Sequence, residues 1–382
     1  MTVLFFILAG LLVYVYVGYP LLLLPFSLLN RRRPLGVGGD LPSLAVLIPV
    51  HNEEAAIRAK IANMFASDYP VDRLEILVGA DACTDGTLRE LASVTDRRLR
   101  VVPIETRSGK GVVLNRLAAL TQAEILVMSD ADVTVDPEAL RLLAAPFADS
   151  RVGAVCGRRS HHVSPLTGLR GPARLYNLYE STIKRGEGRL HRVLGADGSL
   201  YALRKSLFRP IPPDVPDDFV SVLRVIEAGA RALYEKDAVS YERLAADSSY
   251  QFTRKRRTVA RGVRGLWHVR ALLNPMRFPL TSFLLLSHKV LRWGTPLFLV
   301  GLFLMSVTLA HRPFFLFVLL GQAAFYLMAW GGAAFPAFRD HRLVQTIRYF
   351  VVVNAATAAG LWDVLRGRSW STWATQAETG VS

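Results

Sequence analysis

Residues 3 to 29 run without a single charge. About 20 apolar residues suffice to cross a bilayer, so residues 1–30 are predicted to be an N-terminal transmembrane helix. A secretory signal fits poorly: the apolar run is too long, no basic residue precedes it and no small-residue cleavage site follows. Arg31, Arg32 and Arg33 come next, and basic flanks stay on the cytoplasmic side, which puts the middle of the chain in the cytosol.

From Pro42 the pattern becomes short apolar runs alternating with amphipathic segments. Strands are predicted at Leu44 to Ile48, Leu74 to Gly79, Leu99 to Ile104 and Ile125 to Met128, with helices over 53–66, 85–93, 109–120 and 137–147. Alternation of this kind argues an α/β domain, a mostly parallel sheet flanked by helices, over residues 41–245. No internal repeat or low-complexity segment interrupts it. Residues 169–190, with Tyr176, Tyr179 and Glu180, read as a long helix along the domain or the membrane face; core packing explains its aromatics equally well.

A basic and amphipathic membrane-interface segment is predicted over 246–292. It takes in the cationic run 251–267 and a stretch, 278–292, that holds His288, Lys289 and Arg292. Apolar segments follow at 293–310, 313–335 and 347–364, forming a C-terminal transmembrane region over 293–364 before a tail, 365–382. Arg339, Arg342 and Arg348 favour a cytoplasmic loop before the last segment, yet Arg366 and Arg368 prefer the same side beyond it. That segment, which contains Asn354, is therefore read as either spanning or interfacial.

The chain has 382 residues, is 51% hydrophobic and carries a formal charge of +15. With apolar spans present, that charge points to an anionic membrane face and phosphate-bearing substrates and not to nucleic acid. Cys83 and Cys156 alone build neither a disulfide framework nor a zinc site, and they suit a reducing compartment.

The chemistry gathers at strand ends. Asp130 and Asp132 follow the run Ile125 to Met128, and the next helix has its own cap in Asp136-Pro137, so both carboxylates are spare. At the carboxyl edge of a sheet they suit a divalent cation completed by a substrate's phosphates. Asp81 ends the second strand, and Asp85 is the predicted cap of the helix after it, which leaves Asp81 for ligand contact. Arg107-Ser108-Gly109-Lys110-Gly111 is a glycine turn around a lysine at a helix start, suited to an anion, though not a Walker loop. Gly195 to Arg204 is a glycine-rich turn feeding a strand, with Asp197 in it. Asp217-Asp218 opens a helix; a start needs one cap, so the other carboxylate is a candidate general base, raised by its neighbour and by desolvation. Capping without chemistry is the alternative.

Ile-Pro-Val-His-Asn-Glu-Glu, Gly-Ala-Asp-Ala-Cys-Thr-Asp-Gly-Thr, Ser-Gly-Lys-Gly-Val-Val-Leu-Asn and Ser-Asp-Ala-Asp occur in this order. The succession resembles family 2 glycosyltransferases. The resemblance implies a type A nucleotide-sugar-binding fold (GT-A) and inversion at the anomeric centre, with a nucleotide-sugar donor, expected to be a UDP-sugar, and Mg²⁺ or Mn²⁺ as cofactor. It implies donor contacts at Pro49, Asn52, Glu53, Asp81, Lys110 and Asp130, and a metal on Asp130 and Asp132. It maps the family's acid pair onto Asp217 and Asp218, with Asp218 the base, and sets Gly195, Asp197, Arg254 and Arg257 beside the acceptor or the diphosphate. The Gln-x-x-Arg-Trp of processive members is not reproduced: Gln251 and Arg254 have the spacing, but Lys255 replaces the tryptophan and Trp267 lies downstream. The expected acceptor is a polysaccharide or a lipid-linked sugar, and the expected location a multi-pass position in the inner or plasma membrane with the catalytic domain cytosolic. Partners left open are the lipid bilayer, an export complex and a second copy. A catalytically silent scaffold of such a complex is the alternative. A dehydrogenase is set aside, since no Gly-x-Gly-x-x-Gly follows the first strand.

Overall fold

The computed structural model describes residues 1–28, 41–161, 172–242, 248–335, 338 and 341–370. Arg31 to Arg33, Arg339, the tail from 371 onward, and the side chains of Tyr176 and Gln251 lie outside the described residues.

An N-terminal helix α1 (Thr2–Leu28) leads into an α/β layer of eight strands. In chain order these are β1 (Leu44–Val50), β2 (Leu74–Asp81), β3 (Leu99–Ile104), β4 (Ile125–Ser129), β5 (Val133–Val135), β6 (Val152–His161), β7 (Leu200–Arg204) and β8 (Arg231–Glu242). They form one sheet in the order β3-β2-β1-β4-β7-β6-β8-β5. The first four are parallel, β7 runs antiparallel to β4 and β6, and β8 is parallel to β6 and antiparallel to β5. Every residue of β1 and β4 is buried. A central strand covered on both faces reads as one apolar run and not as an alternation, which is why the short runs marked these strands.

The two faces have different partners. Leu44, Val46 and Ile48 of β1 pack with Ile57, Ile61 and Met64 of α2 (Glu54–Phe65) and with Leu140 and Leu143 of α5 (Ala139–Ala144). Ala45 and Leu47 face the other way, towards Val113 and Leu117 of α4 (Lys110–Leu120) and Val220 and Leu223 of α7 (Asp217–Glu227). The short α3 (Thr87–Ala92) follows β2, and α6 (Pro172–Arg189) precedes β7.

The second face also takes in Tyr19 and Leu23 of α1 and Leu284 and Leu285 of α9 (Pro279–Thr308). Apolar helices and α/β layer therefore share one core. Beneath the layer α8 (Ser248–His268) carries the cationic run, and α10 (Pro313–Ala334) and α11 (Arg342–Leu365) close the chain. Among the described residues, α1, α9 and α10 are long and apolar enough to cross a membrane. Their outer faces carry exposed Phe6, Leu297, Phe317 and Leu327, as lipid-facing surfaces do.

One boundary differs from the reading of the sequence. The stretch 278–292 and the apolar segment after it are a single helix, continuous through a π turn at Leu286–Val290. The turn directs His288 and Arg292 inward onto acidic partners, His288 onto Glu187 and Glu180 and Arg292 onto Glu180, which is why a segment with three basic residues packs inside. The last helix, α11, buries Asn354, Thr357 and Asp363, and Asp363 Oδ1 receives Arg256 of α8 at 2.6 Å.

Candidate active site at the carboxyl edge of the sheet

The strand order reverses between β1 and β4, which is where open α/β sheets bind ligands. Asn52 and Glu53 leave β1 beside Asp130 and Asp132 leaving β4. Glu53 is pushed up to about 7 by burial and then by the charges of Asp132, Asp85 and Asp130. Asp132 is pushed up to about 6 by burial, with Asp130 and Glu242 adding to it. Glu53, Asp130 and Asp132 thus stand near enough for their charges to act on one another.

Under them lies a residue the sequence reading passed over. Lys60 is buried, and its Nζ donates to Ser129 Oγ at 2.7 Å and to the Val133 carbonyl at 2.9 Å, bracketing the Asp130–Asp132 turn. Burial pushes its ammonium down to about 7 against the pull of both aspartates. A lysine within the apolar stripe Ile57, Ile61, Met64 is the signal that could have flagged it.

Hard oxygen donors that crowd one another fit Mg²⁺ or Mn²⁺, which is usually held by one or two carboxylates and phosphate oxygens. Among the described residues no cluster of three or more His, Cys, Asp or Glu side chains closes on a single point.

Across the hollow stands Lys110, the first residue of α4. Gly109 before it sits at φ 86, a conformation that favours glycine. The turn is held from behind by Asp81, whose two carboxylate oxygens accept the Ser108 and Gly109 amides at 2.7 and 2.9 Å. Asp81 itself is fully buried and holds the lysine turn in place. Asn52 is likewise engaged, exchanging hydrogen bonds with Thr84 at 2.8 and 3.1 Å, and Pro49 is buried within β1. Of the six expected donor contacts, Glu53, Lys110 and Asp130 are the ones that the structure brings to the hollow.

Lys110 Nζ reaches Asp130 Oδ1 at 2.7 Å and Asp217 Oδ2 at 3.3 Å. Asp217 also accepts the Tyr201 hydroxyl at 2.8 Å and is buried. Neither aspartate caps α7 through its side chain. Asp218 is left facing inward, and burial followed by the charge of Asp217 pushes it up to about 6, with Lys110 opposing. The groups converge on Gly198: a Cβ placed there would stand 3.4 Å from Lys110 Nζ, 3.5 Å from Asp218 Oδ2 and 3.8 Å from Asp130 Oδ2.

Beside that glycine, Asp197 pairs with Lys184 of α6 at 2.8 Å. Burial alone would raise Asp197, but the charges of Lys184 and Arg159 hold it below the ordinary carboxylate range. Gly195 lies against Phe219. Arg254 reaches the acidic rim through Glu242 at 3.0 Å, where Arg159 also pairs at 3.2 Å. Arg257 is partly buried on the same helix. Asp85 accepts the Thr87 amide at 3.0 Å just before α3, whose cap position is Gly86, and Asp136 accepts the Tyr241 hydroxyl at 3.3 Å and makes no cap. Tyr201 and Lys184 carried no local sequence signal.

A mixed sheet with an acidic turn at its carboxyl edge defines the GT-A class of fold. The solved mannosyltransferase PcManGT from Pyrobaculum calidifontis, in complex with GDP-Man and Mn²⁺, matches it with a TM-score of 0.70 at 24% identity, over 96% of this chain and 100% of that one. A model of Glycosyl transferase family 2 matches residues 45–210; the chain belongs to that family. A probable glycosyltransferase of Bacillus subtilis (strain 168), YdaM, is 27% identical over 217 residues, 53% of this chain and 51% of that protein. Beta-monoglucosyldiacylglycerol synthase of Nostoc sp. (strain PCC 7120 / SAG 25.82 / UTEX 2576) is 34% identical over 135 residues, 34% of this chain and 29% of that protein. The chain thus spans about half the length of the first curated relative and less of the second.

Proposed function

We propose that this chain is a membrane-embedded, metal-dependent, inverting glycosyltransferase that moves a sugar from a nucleotide-sugar donor, a UDP-sugar in the first instance, to a hydroxyl presented at the membrane surface on a lipid or lipid-linked glycan. The observation that carries the reading is the meeting of Lys110, Asp130 and Asp218 around Gly198. It supports one site with a cation, a cation-binding acid and a spare base. That apolar helices share the core of the layer supports an acceptor delivered from the bilayer.

In this reading Asp218 takes the proton of the acceptor hydroxyl and the oxygen attacks the anomeric carbon from the face opposite the diphosphate. The carbon–oxygen bond to the diphosphate breaks with its electron pair, and the configuration inverts. Lys110 faces the developing charge of the leaving group, and Asp217, held by Tyr201 and Lys110, keeps the base raised into its working range. Asp130 and Asp132 would hold Mg²⁺ or Mn²⁺, which supplies charge neutralisation for the diphosphate. Arg254 and Arg257 belong to the diphosphate or acceptor side, and Gly195 and Asp197 to the acceptor side. The catalytic layer faces the cytosol in a multi-pass arrangement, as the basic flanks of the apolar segments suggest.

The test is nucleotide release by the full-length protein in lipid nanodiscs with UDP-glucose, UDP-galactose and GDP-mannose, each with Mn²⁺ and with EDTA. Metal-dependent release from at least one donor, reduced about a hundredfold or more in Asp218→Asn, is expected. Full release by a folded Asp218→Asn protein would end the assignment of the base.

A further inference from the structure

Phe219 follows Asp218 directly, and its ring is held from four sides. Trp293 of α9 meets it edge-on, the centroids 6.4 Å apart at 67°. Lys289, one helical turn before Trp293 and on the same face, sets its Nζ 5.9 Å from the ring centroid. The backbones of Gly195 and Gly265 close the remaining sides, so tightly that a Cβ on either would stand 3.3 or 3.2 Å from the ring. Trp293 is seated in turn against Gly262 of α8, where a Cβ would meet it at 2.9 Å.

Two features make this clamp more than packing. The first turn of α7 lacks a side-chain cap, so its placement falls to neighbours; the Asp218 carbonyl is tied only to the Ala196 amide, at 3.2 Å, among the described backbone contacts outside the helix. Lys289, moreover, lies within the π turn Leu286–Val290, whose extra residue per turn shifts the phase of the helix after it, and such turns mark functional sites in helices.

We infer that the second apolar helix positions the base: Trp293 and Lys289 fix Phe219, and through it the aim of Asp218 into the hollow beside Gly198. The inference rests on the reading of Asp218 as the base. Both are positioning residues, and the catalytic layer is incomplete without the membrane helix that bears them. A displacement of about 1 Å at a reacting group can cost a hundredfold in rate, so a clamp of this kind is worth having even where it adds little stability.

The experiment compares Trp293→Ala, Trp293→Phe, Lys289→Met and Asp218→Asn, all full length in nanodiscs, for nucleotide release against pH with whichever of UDP-glucose, UDP-galactose or GDP-mannose the wild type cleaves. Trp293→Ala should lower kcat about tenfold or more with the donor KM little changed, and should move the acidic limb of the profile to lower pH as water reaches Asp218. Trp293→Phe should restore most of the rate. Lys289→Met, which keeps the packed stem and removes the charge over the ring, should lower kcat about threefold. A folded Trp293→Ala protein with wild-type kcat and pH profile, beside an inactive Asp218→Asn, overturns the inference and leaves the base in place. Should Trp293→Ala fail to fold, a wild-type rate and profile in Lys289→Met overturns it equally. Full release by Asp218→Asn removes the base reading and the inference together.

Discussion

Lys110 opens one helix and Asp217 opens another, far along the chain, yet their charged groups stand 3.3 Å apart. The same ammonium reaches Asp130 at 2.7 Å, so one lysine ties the acidic turn after β4 to the start of α7. Replacing Lys110 by Met would leave Asp217, whose side chain is 6% exposed, facing no cation. Breaking a fully buried pair costs about 3–5 kcal/mol. Solvent around Asp130, 34% exposed, reduces this to about 2 kcal/mol, to be read as a lower melting temperature.

A second expectation concerns pH. Burial first, and Asp217 second, push Asp218 up to about 6, so kcat should rise as pH climbs through about 6 and level off above it. Lys110→Met, by removing a charge that holds Asp218 down, should move that limb upward.

Stability should run the other way. Asp132 and Asp218 at about 6 and Glu53 at about 7 bind protons more tightly folded than unfolded. Between the ordinary carboxylate range and those values the folded state carries more protons, so this contribution to stability falls as pH rises across that window. Thermal unfolding without metal, from about pH 4 to 7, checks the sign; a melting temperature lowered by Asp132→Asn near neutral pH would contradict it.

Metal and donor should act together. With UDP present, Mn²⁺ should raise the melting temperature, by an amount worth about 2.7 kcal/mol at a hundred times the dissociation constant. Asp132→Asn should abolish the rise, and EDTA should stop nucleotide release. A rise of wild-type size in Asp132→Asn would place the ion elsewhere.

Glu187 joins membrane helices to catalytic layer. It accepts the Tyr19 hydroxyl at 2.9 Å and the Leu194 amide at 3.4 Å and meets His288 Nδ1 at 2.6 Å, in a setting where it is 1% exposed. Glu187→Ala strands these groups and should cost about 3 kcal/mol, against about 1 kcal/mol for Glu187→Gln, which keeps an acceptor. Equal losses in the two variants, measured by unfolding in nanodiscs, would reduce Glu187 to a space-filler.

Much of this was written in the linear pattern. Buried strands show as unbroken apolar runs because both faces are covered, so β1, β2 and β4 followed from the stretch Leu44 to Ser129. Length and lack of charge marked α1 and α10 as spans for the same reason. The turns bearing Asp130, Asp132, Lys110 and Asp218 were visible too, as charges interrupting apolar segments where no cap was required.

Which of two like residues is spent was not visible. Asp81 and Asp130 both end strands, but only packing shows that two amides consume the first while the second stays open to the hollow. Asp217 and Asp218 are chemically identical neighbours, and the difference lies in Tyr201 and Lys110, which other elements deliver. The chain by itself determined the elements, because periodicity reports how a segment meets its immediate surroundings. The tertiary structure decided the roles, because a carboxylate's charge and freedom depend on donors brought from distant segments, and no local pattern encodes that meeting.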